Sequence, residues 1–160
     1  MKSFKELFAS RFPVNVVQYR DIPVHRKALQ KLVFDFLDIT TGDAESDKYL
    51  TKPEAYMLEK QGEFVAALIY RTDPKNHTVA YIRAFSVLST ERGKSYGFTL
   101  LGAFIDTCIR SGTYKSIQLA VDATNTVAIH LYDQWGFKVT KEGEDEGRKF
   151  LCMELVFSHR

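Results

Sequence analysis

The sequence predicts an α+β fold, an α/β sandwich in which a mixed, mostly antiparallel sheet carries helices on both faces. Apolar runs at strand spacing and at helical spacing follow one another as strand, helix, several strands, then strand–helix–strand–helix–strand–strand. A helix between two successive strands favours a crossover and a parallel pair, whereas short turns join the other strands. The 160 residues, 45% of them hydrophobic, fit one domain, residues 1–160.

The N-terminal segment predicts two helices on either side of a first strand. Ser3–Arg11 has the spacing of a short amphipathic helix, which Pro13 ends. Val14–Tyr19 is predicted to be a strand. His25–Leu37 repeats apolar residues at helical spacing, with Asp21 as the predicted capping side chain and a proline in the first turn.

The stretch Asp38–Tyr49 is acidic and rich in small polar residues, which is typical of a solvated loop. A second interpretation is a mobile substrate loop whose carboxylates attract a cationic substrate. The sequence alone leaves both interpretations open.

An antiparallel set of strands follows this stretch. Glu54–Glu59 is predicted to be a strand, with a short helix as the alternative. Phe64–Arg71 and Thr78–Val87 are predicted to form a hairpin. Residues typical of turns separate these runs at Gln61–Glu63 and at Asp73–Asn76.

The next unit is a helix followed by a strand. Phe98–Arg110 is apolar on most sides, which predicts burial on more than one face, and Gly112 fits its end. Ser116–Val121 is predicted to be a strand parallel to Thr78–Val87, because a helix connects the two.

A further helix and two strands complete the chain. The helix is capped by Asn125 or Thr124 and ended by a glycine at position 136. The last strands are predicted at Phe137–Lys141 and Phe150–Phe157. Between them, the acidic segment Glu142–Gly147 is predicted to be a solvated hairpin tip.

Composition argues against several classes of partner. Lys plus Arg number 22 and Asp plus Glu 20, a net charge of +2 without a long basic run, so nucleic-acid binding is not indicated. No apolar run reaches the ~20 residues of a membrane span, and the charged N-terminus does not resemble a signal peptide. We therefore predict a cytoplasmic protein without a membrane partner. The histidines and cysteines lack metal-ligand spacing, so no metal is expected, and Cys108 and Cys152 are predicted to be buried free thiols.

The segment between the strand ending at Val87 and the helix starting at Phe98 predicts an anion site. It contains two glycines, two cations and a run of backbone N–H groups without proline. The first N–H groups of a helix have no acceptor within the helix, and the helix dipole adds partial positive charge there. Arg92 and Lys94 are expected to add full charges. We therefore predict a phosphate-bearing ligand at Arg92–Gly97.

Two motifs of the chain resemble the GNAT acyltransferase superfamily. The first resembles its acetyl-CoA-binding motif, usually Arg/Gln-x-x-Gly-x-Gly/Ala, and reads Val87-x-Ser89-x-x-Arg92-Gly93-Lys94-x-Tyr96-Gly97, followed by a helix with Leu100-Leu101. The second reads Asn125-x-x-Ala128-x-x-Leu131-Tyr132-x-x-Trp135-Gly136-Phe137. Together they cover about 50 residues. Ser95 stands where the family most often has glycine, and its Cβ is expected to narrow the approach of a phosphate.

The resemblance implies that the chain is an acetyl-CoA-dependent N-acetyltransferase. It places the pyrophosphate of CoA on the N–H groups of Arg92, Gly93, Lys94, Ser95, Tyr96 and Gly97. The pantetheine would run beside the strand residues Phe85 and Val87, where the sheet opens between its two parallel strands. The N–H near Val87 would stabilise the oxyanion that forms when an amine attacks the thioester. Tyr132 would protonate the leaving thiolate, and Asn125 would cap its helix and contact the pantetheine.

Several questions stay open at the level of the sequence. The acceptor is an unidentified amine of a small molecule or peptide, and the candidate bases are Asp122, Glu63, the carboxylates of Asp38–Asp47 or a water chain. The oligomeric state is undetermined, with a homodimer as one option. A non-catalytic acyl-CoA sensor or scaffold is the alternative function. A nucleotide-phosphate site is weaker, because Leu88 stands where a P-loop has its first glycine.

Overall fold

The computed structural model describes residues 14–158. The predicted helix at Ser3–Arg11 and the proline that ends it lie outside the described residues. The described part contains seven strands, four α-helices and one 3₁₀ turn at Ser89–Glu91. The strands are β1 (Val14–Gln18), β2 (Glu54–Lys60), β3 (Glu63–Asp73), β4 (Asn76–Val87), β5 (Ser116–Asp122), β6 (Lys138–Asp145) and β7 (Arg148–Val156). The helices are α1 (Pro23–Leu37), α2 (Ala44–Leu50), α3 (Tyr96–Ser111) and α4 (Thr126–Gln134).

The seven strands form one mixed sheet in the order β1-β2-β3-β4-β5-β7-β6. The helix between β4 and β5 makes this pair parallel, as predicted, with Val79–Ile82 in register with Ser116–Leu119. The β1–β2, β5–β7 and β6–β7 pairs are antiparallel. The predicted fold class, a mostly antiparallel sheet with one parallel pair and helices, is confirmed.

The chain divides into two compact units. The division falls within β3, β4 and α3, so each of these elements contributes residues to both units. The first holds the described residues up to Ile69 together with Ala84–Leu100, and its core packs Leu29, Leu32 and Val33 of α1 against Met57, Ala67, Ile69 and Ala84 of the sheet. The second holds Tyr70–Arg83 and the described residues from Leu101 onward. Its buried side chains include Phe104, Ile117, Leu119, Phe137 and Met153.

Helix α1 forms where predicted, but its cap is not Asp21. The N-cap residue is Ile22, which makes no side-chain capping bond, and Pro23 occupies the first turn. The Asp21 carboxylate instead accepts a hydrogen bond from Arg26 Nη1 at 2.9 Å. Asp21 therefore lies one residue before the cap position and pairs with a side chain of the helix instead.

The acidic stretch after α1 is not a loop throughout. Helix α2 begins after Asp43, whose Oδ1 accepts the N–H of Ser46 at 2.8 Å. The Ser46 hydroxyl in turn accepts the N–H of Asp43 at 2.9 Å, which completes a capping box. The prediction of a continuous loop at Asp38–Tyr49 was wrong because this reciprocal cap stabilises a short helix.

Helix α3 is buried along one stripe rather than on most sides. Its buried residues recur at helical spacing, as Leu100, Leu101, Phe104, Ile105 and Cys108. Phe98 and Ile109 are 41% and 51% exposed, so the predicted burial on more than one face was wrong. The helix ends as predicted at Gly112, which has a φ of 70°.

The last hairpin is longer than predicted. Strand β6 continues to Asp145, and Glu142, Gly143, Glu144 and Asp145 pair with residues of β7. The turn consists only of Glu146 and Gly147, both with positive φ, the conformation that matches the twist of a two-residue hairpin. The acidic segment is therefore mostly exposed strand. Only Glu146 and Gly147 form the hairpin tip that was predicted for Glu142–Gly147.

Candidate functional site

The predicted phosphate loop lies between the end of β4 and the start of α3. The N–H of Leu88 donates to the Val65 carbonyl at 2.9 Å, which fixes the chain as it leaves the sheet. Arg92–Ser95 is exposed. In the part of the chain that the structure describes, the N–H groups of Gly93–Gly97 donate to no backbone carbonyl. The loop therefore presents a row of available donors at a helix N-terminus, the arrangement that binds anions.

Two residues of this loop adopt left-handed backbone conformations. Gly93 has a φ of 81° and Ser95 a φ of 66°. The Ser95 carbonyl accepts hydrogen bonds from the N–H of Thr99 at 3.1 Å and from the Thr99 hydroxyl at 3.0 Å. Helix α3 therefore starts directly after Ser95. A left-handed φ favours glycine, which explains physically why glycine suits this position. The structure adds a backbone cost for serine at this position, while the narrowing of the phosphate approach by its Cβ stays a prediction.

The charges of the loop are arranged differently from the prediction. Lys94 Nζ and Lys60 Nζ both donate to Glu91 Oε2, at 2.9 Å and 3.0 Å. Hydrogen bonds from Lys94 and then Lys60 lower the pKa of Glu91, and the bond to Glu91 raises the pKa of Lys60. Lys94 keeps its positive charge, as predicted for this loop, but the Glu91 carboxylate offsets part of that charge.

The other loop cation folds back onto the strand. Arg92 Nε donates to the carbonyl of Val87 at 3.3 Å. Tyr96, the first residue of α3, is 7% exposed, and Lys60 Nζ lies 5.5 Å from the centre of its ring. Phe85 and Val87 are half-buried and alternate with the buried face of β4. These contacts hold the loop against the end of β4.

The second motif forms the helix that the sequence predicted. Asn125 Oδ1 accepts the N–H of Ala128 at 3.2 Å, so Asn125 is the cap. Thr124, the alternative cap, instead donates its N–H and hydroxyl to Asp122 Oδ1 at 2.8 Å and 2.6 Å. Gly136, with a φ of 96°, follows the end of the helix.

Tyr132 is the buried residue of α4. Its side chain is 6% exposed, and its ring centre lies 5.6 Å from that of Phe137. Burial raises the pKa of the Tyr132 hydroxyl. The group therefore stays protonated at physiological pH, the form that donates a proton or hydrogen bond.

The structure narrows the list of candidate bases. Two hydrogen bonds from Thr124 lower the pKa of Asp122, which weakens it as a base and gives it a turn-forming role. Asp43 is engaged as the cap of α2. Glu63 is exposed at the start of β3.

One carboxylate that the sequence analysis did not select stands out. Oδ2 of Asp35 is buried without a hydrogen-bond partner among the described residues, as is Oγ of Ser86. The sequence does carry a signal, because Asp35 lies seven residues after Ala28 and three after Leu32, on the side of α1 that packs inward.

Other side chains with reactive potential lie apart from these motifs. Cys108 and Cys152 are both free, as predicted. Cys108 is buried, which raises its pKa to about 12, but Cys152 is only half-buried, so the prediction of its burial was wrong. Within residues 14–158, no group of three or more His, Cys, Asp or Glu residues could hold a metal ion. None of the helices described is long and apolar enough to cross a bilayer.

Comparison with known proteins assigns the family. The model of the acetyltransferase (GNAT) family matches residues 14–137. The chain belongs to the GNAT acetyltransferase family. This match includes both motifs, so the family resemblance noted in the sequence is confirmed, and with it a family chemistry of acetyl-CoA-dependent acetylation.

Solved structures of other GNAT proteins share the fold. A ribosomal-protein alanine N-acetyltransferase from Escherichia coli matches with a TM-score of 0.77 at 16% identity, over 92% of this chain and 96% of that one. Naa50 of Arabidopsis thaliana, in complex with the bisubstrate analogue CoA-Ac-MVNAL, gives 0.71 at 22% identity over 90% and 99%. A GNAT acetyltransferase from Elizabethkingia anophelis with acetyl-CoA bound gives 0.69 at 16% identity over 90% and 98%. A search of curated protein sequences finds no significant match.

Proposed function

We propose that this GNAT protein is an N-acetyltransferase that moves an acetyl group from acetyl-CoA to an amine of a small molecule or peptide. The observation that carries the proposal is the row of available N–H groups at Gly93–Gly97, which includes the first two residues of α3. These groups would bind the pyrophosphate of CoA, as the family motif implies. The proposal treats residues 1–160 as one acyltransferase domain, because the family match spans residues 14–137.

The acyl arm is assigned to the end of β4. Phe85 and Val87 would flank the pantetheine, and the N–H near Val87 would donate to the oxygen of the thioester as negative charge develops there. The Val87 carbonyl already accepts a hydrogen bond from Arg92. This bond would keep the strand end rigid while the acceptor amine attacks the thioester carbon directly.

Tyr132 and Asn125 are assigned to the departing CoA. A thiol is a stronger acid than a buried tyrosine with a raised pKa, so complete proton transfer from Tyr132 to the thiolate is uphill. We infer that the hydroxyl stabilises the developing thiolate mainly by a hydrogen bond and passes its proton late. Asn125 would support this step by fixing the start of α4 through its cap.

Two structural neighbours support an amine acceptor. The Escherichia coli neighbour acts on an alanine of a ribosomal protein, and Naa50 was captured with an analogue that joins CoA to a peptide. Because these likenesses are below 25% identity, they support the reaction class rather than a particular acceptor. A homodimer stays a proposal.

The test has two steps on the purified chain. Acetyl-CoA at about 100 times its dissociation constant should stabilise the fold by about 2.7 kcal/mol, which corresponds to a rise in Tm of ~5–10 °C for a chain of this size. Free CoA thiol should then be released only when a suitable primary amine is present, and mass spectrometry should find the acetylated amine. A rise in Tm without thiol release across a broad amine panel would instead favour the acyl-CoA sensor or scaffold. No rise at saturating acetyl-CoA would contradict both.

A further inference from the structure

Lys60, the last residue of β2, reaches the predicted phosphate loop from a separate strand. Its Nζ donates to Oε2 of Glu91 at 3.0 Å and lies 5.5 Å from the centre of the Tyr96 ring. Glu91 directly precedes the turn Arg92–Ser95, and Tyr96 directly follows it. A side chain that belongs to neither family motif therefore contacts both flanks of this turn.

The turn Arg92–Ser95 has few backbone contacts of its own. Within residues 14–158, the N–H groups of Gly93, Lys94 and Ser95 donate to no backbone carbonyl. Gly93 and Ser95 are both left-handed, and a left-handed serine persists only where the surrounding structure holds it. A loop that must first become ordered binds its ligand more weakly than a preorganised one. The contacts at the two flanks are therefore expected to matter for anion binding.

Burial distinguishes Lys60 from the other lysine that pairs with Glu91. The side chains of Lys60 and Glu91 are each 16% exposed, whereas that of Lys94 is 48% exposed. A hydrogen bond between charged groups is stronger where water is largely excluded, and an exposed ion pair contributes little. The hydrogen bond to Glu91 and, less strongly, the side chain of Tyr96 raise the pKa of Lys60, so Lys60 stays charged at physiological pH. Lys60 is therefore the firmer of the two attachments.

We propose that Lys60 is a positioning residue of the acyl-CoA site, which links Glu91 to Tyr96 and so holds the turn Arg92–Ser95 in the conformation that binds pyrophosphate. This inference rests on the proposed function. Lys60 acts through the backbone N–H groups of the turn and does not itself have to touch CoA. Glu91→Gln keeps an oxygen that accepts a hydrogen bond from Lys60, so this link survives the loss of the carboxylate charge.

The test measures how much the phosphate-bearing end of CoA contributes to its affinity. CoA and pantetheine share the thiol arm, but only CoA carries the pyrophosphate and the nucleotide. The ratio of their dissociation constants, from calorimetry on the full chain, therefore isolates that end of the ligand. Lys60→Met keeps a long side chain and removes its charge and its donors. It should reduce the ratio about tenfold by weakening CoA binding, while the dissociation constant of pantetheine stays within about twofold.

Lys94→Met is the matched control for the loss of charge. It removes one positive charge from the same carboxylate but leaves the link through Lys60 in place. It should reduce the ratio by only about threefold at low salt, and this loss should largely disappear at about 0.5 M salt because an exposed charge is screened. The loss in Lys60→Met should persist at the higher salt concentration, because it arises from the geometry of the turn.

Three results would overturn the proposal. They are an unchanged ratio in Lys60→Met, an equal loss of CoA and pantetheine binding, which would indicate general damage to the fold, or a loss that salt abolishes as in Lys94→Met, which would mean that Lys60 supplies only charge. Inorganic pyrophosphate is titrated into the same three proteins. If CoA does not bind the wild type, the proposed function fails. Weaker pyrophosphate binding by Lys60→Met than by Lys94→Met would then still support the role of Lys60, and equal or absent pyrophosphate binding would overturn it.

Discussion

The loop Arg92–Gly97 is exposed and contains a serine in a left-handed conformation, whereas Asn125–Phe137 is a capped helix anchored by buried Tyr132 and Phe137. Both segments match family motifs. The helix matches its motif at the Asn125 cap, at the buried Tyr132 and at the glycine after its end. The loop differs from its motif at Ser95, and its Lys94 forms an ion pair with Glu91. In this chain the helical segment therefore keeps the residues of its motif at the cap and the buried position, whereas the loop has a strained serine and an offset lysine. The following predictions separate the two segments experimentally.

The largest effect is expected in the helical motif, from Tyr132→Phe. Removing the hydroxyl that hydrogen-bonds the developing thiolate should lower kcat by about 100-fold, while the dissociation constant of acetyl-CoA stays within about twofold because the pyrophosphate contacts lie elsewhere. Steady-state kinetics and calorimetry measure the two quantities. Tyr114→Phe is the matched control, since Tyr114 belongs to neither motif and its hydroxyl bonds Thr72 at 2.6 Å. Unchanged turnover in Tyr132→Phe would remove this tyrosine from the mechanism.

Gly102→Ala should show how tightly the end of the same motif is packed. A Cβ at Gly102 would clash with Cζ2 of Trp135, so the indole would have to shift. Overpacking of this kind costs about 1–3 kcal/mol, so Tm should fall by ~3–10 °C. In a Trp135→Phe background, Gly102→Ala should lower the free energy of unfolding by a clearly smaller amount, because the smaller ring leaves room for the added methyl group. Equal costs in both backgrounds would show that this contact does not limit the packing.

In the loop, Ser95→Gly should stabilise the protein. Relief of the left-handed conformation should raise the free energy of unfolding by ~1–2 kcal/mol. Glycine also makes the unfolded chain more flexible, which offsets part of this gain, so the net stabilisation should be about 0.5–1 kcal/mol. The expected rise in Tm is ~1–4 °C. Ser95→Ala removes the hydroxyl but keeps the strain, so it should give no such rise. A gain in Ser95→Ala equal to that in Ser95→Gly would rule out backbone strain as the cause.

The smallest effect is expected from Glu91→Gln, which releases the charges of Lys60 and Lys94. Acetyl-CoA should bind about threefold more tightly, the scale of one exposed charge contact. Calorimetry at low and moderate salt measures this gain, which should shrink as salt is added. A weaker affinity at both salt concentrations would mean that Glu91 positions the lysines for the phosphates rather than neutralising them.

The ion pair between Glu91 and Lys60 predicts that the stability of the fold depends on pH. The pKa of Glu91 is lowered in the fold, so its contribution is present above the unfolded carboxyl value of about 4.3 and is lost as the pH falls through the lower folded value. The pKa of Lys60 is raised, so its contribution is lost only as the pH rises through a value above that of a free lysine. The difference in Tm between wild type and Glu91→Gln should therefore shrink below about pH 4. A difference that is constant with pH would contradict the pairing.

Local patterns in the sequence predicted most of the fold. The apolar spacing of α1, the glycine after α3 and the Asn125 cap are each encoded within a few residues, and each was found where expected. Two local signals were overlooked. The Asp43–Ser46 capping box starts a helix inside the acidic stretch, and the two-residue turn at Glu146-Gly147 lengthens the last hairpin.

The features that the sequence could not predict depend on contacts between distant residues. Glu91 receives Lys60 from a separate strand, 31 positions away. Asp35 contacts Ser89 across 54 positions, and nothing in the local pattern reveals that its other oxygen is unpaired. The left-handed φ of Ser95 was likewise hidden, although the usual glycine at this position was the available clue.

Hydrogen exchange of the backbone amides tests most directly whether both segments serve one acyl-CoA. Exposed N–H groups without acceptors exchange fast, and a bound pyrophosphate should protect them. On addition of acetyl-CoA we predict slower exchange at Gly93–Gly97 and also at the start of α4, from Asn125 to Tyr132. Slowing at only one of the two segments, or only elsewhere in the chain, would contradict the shared site.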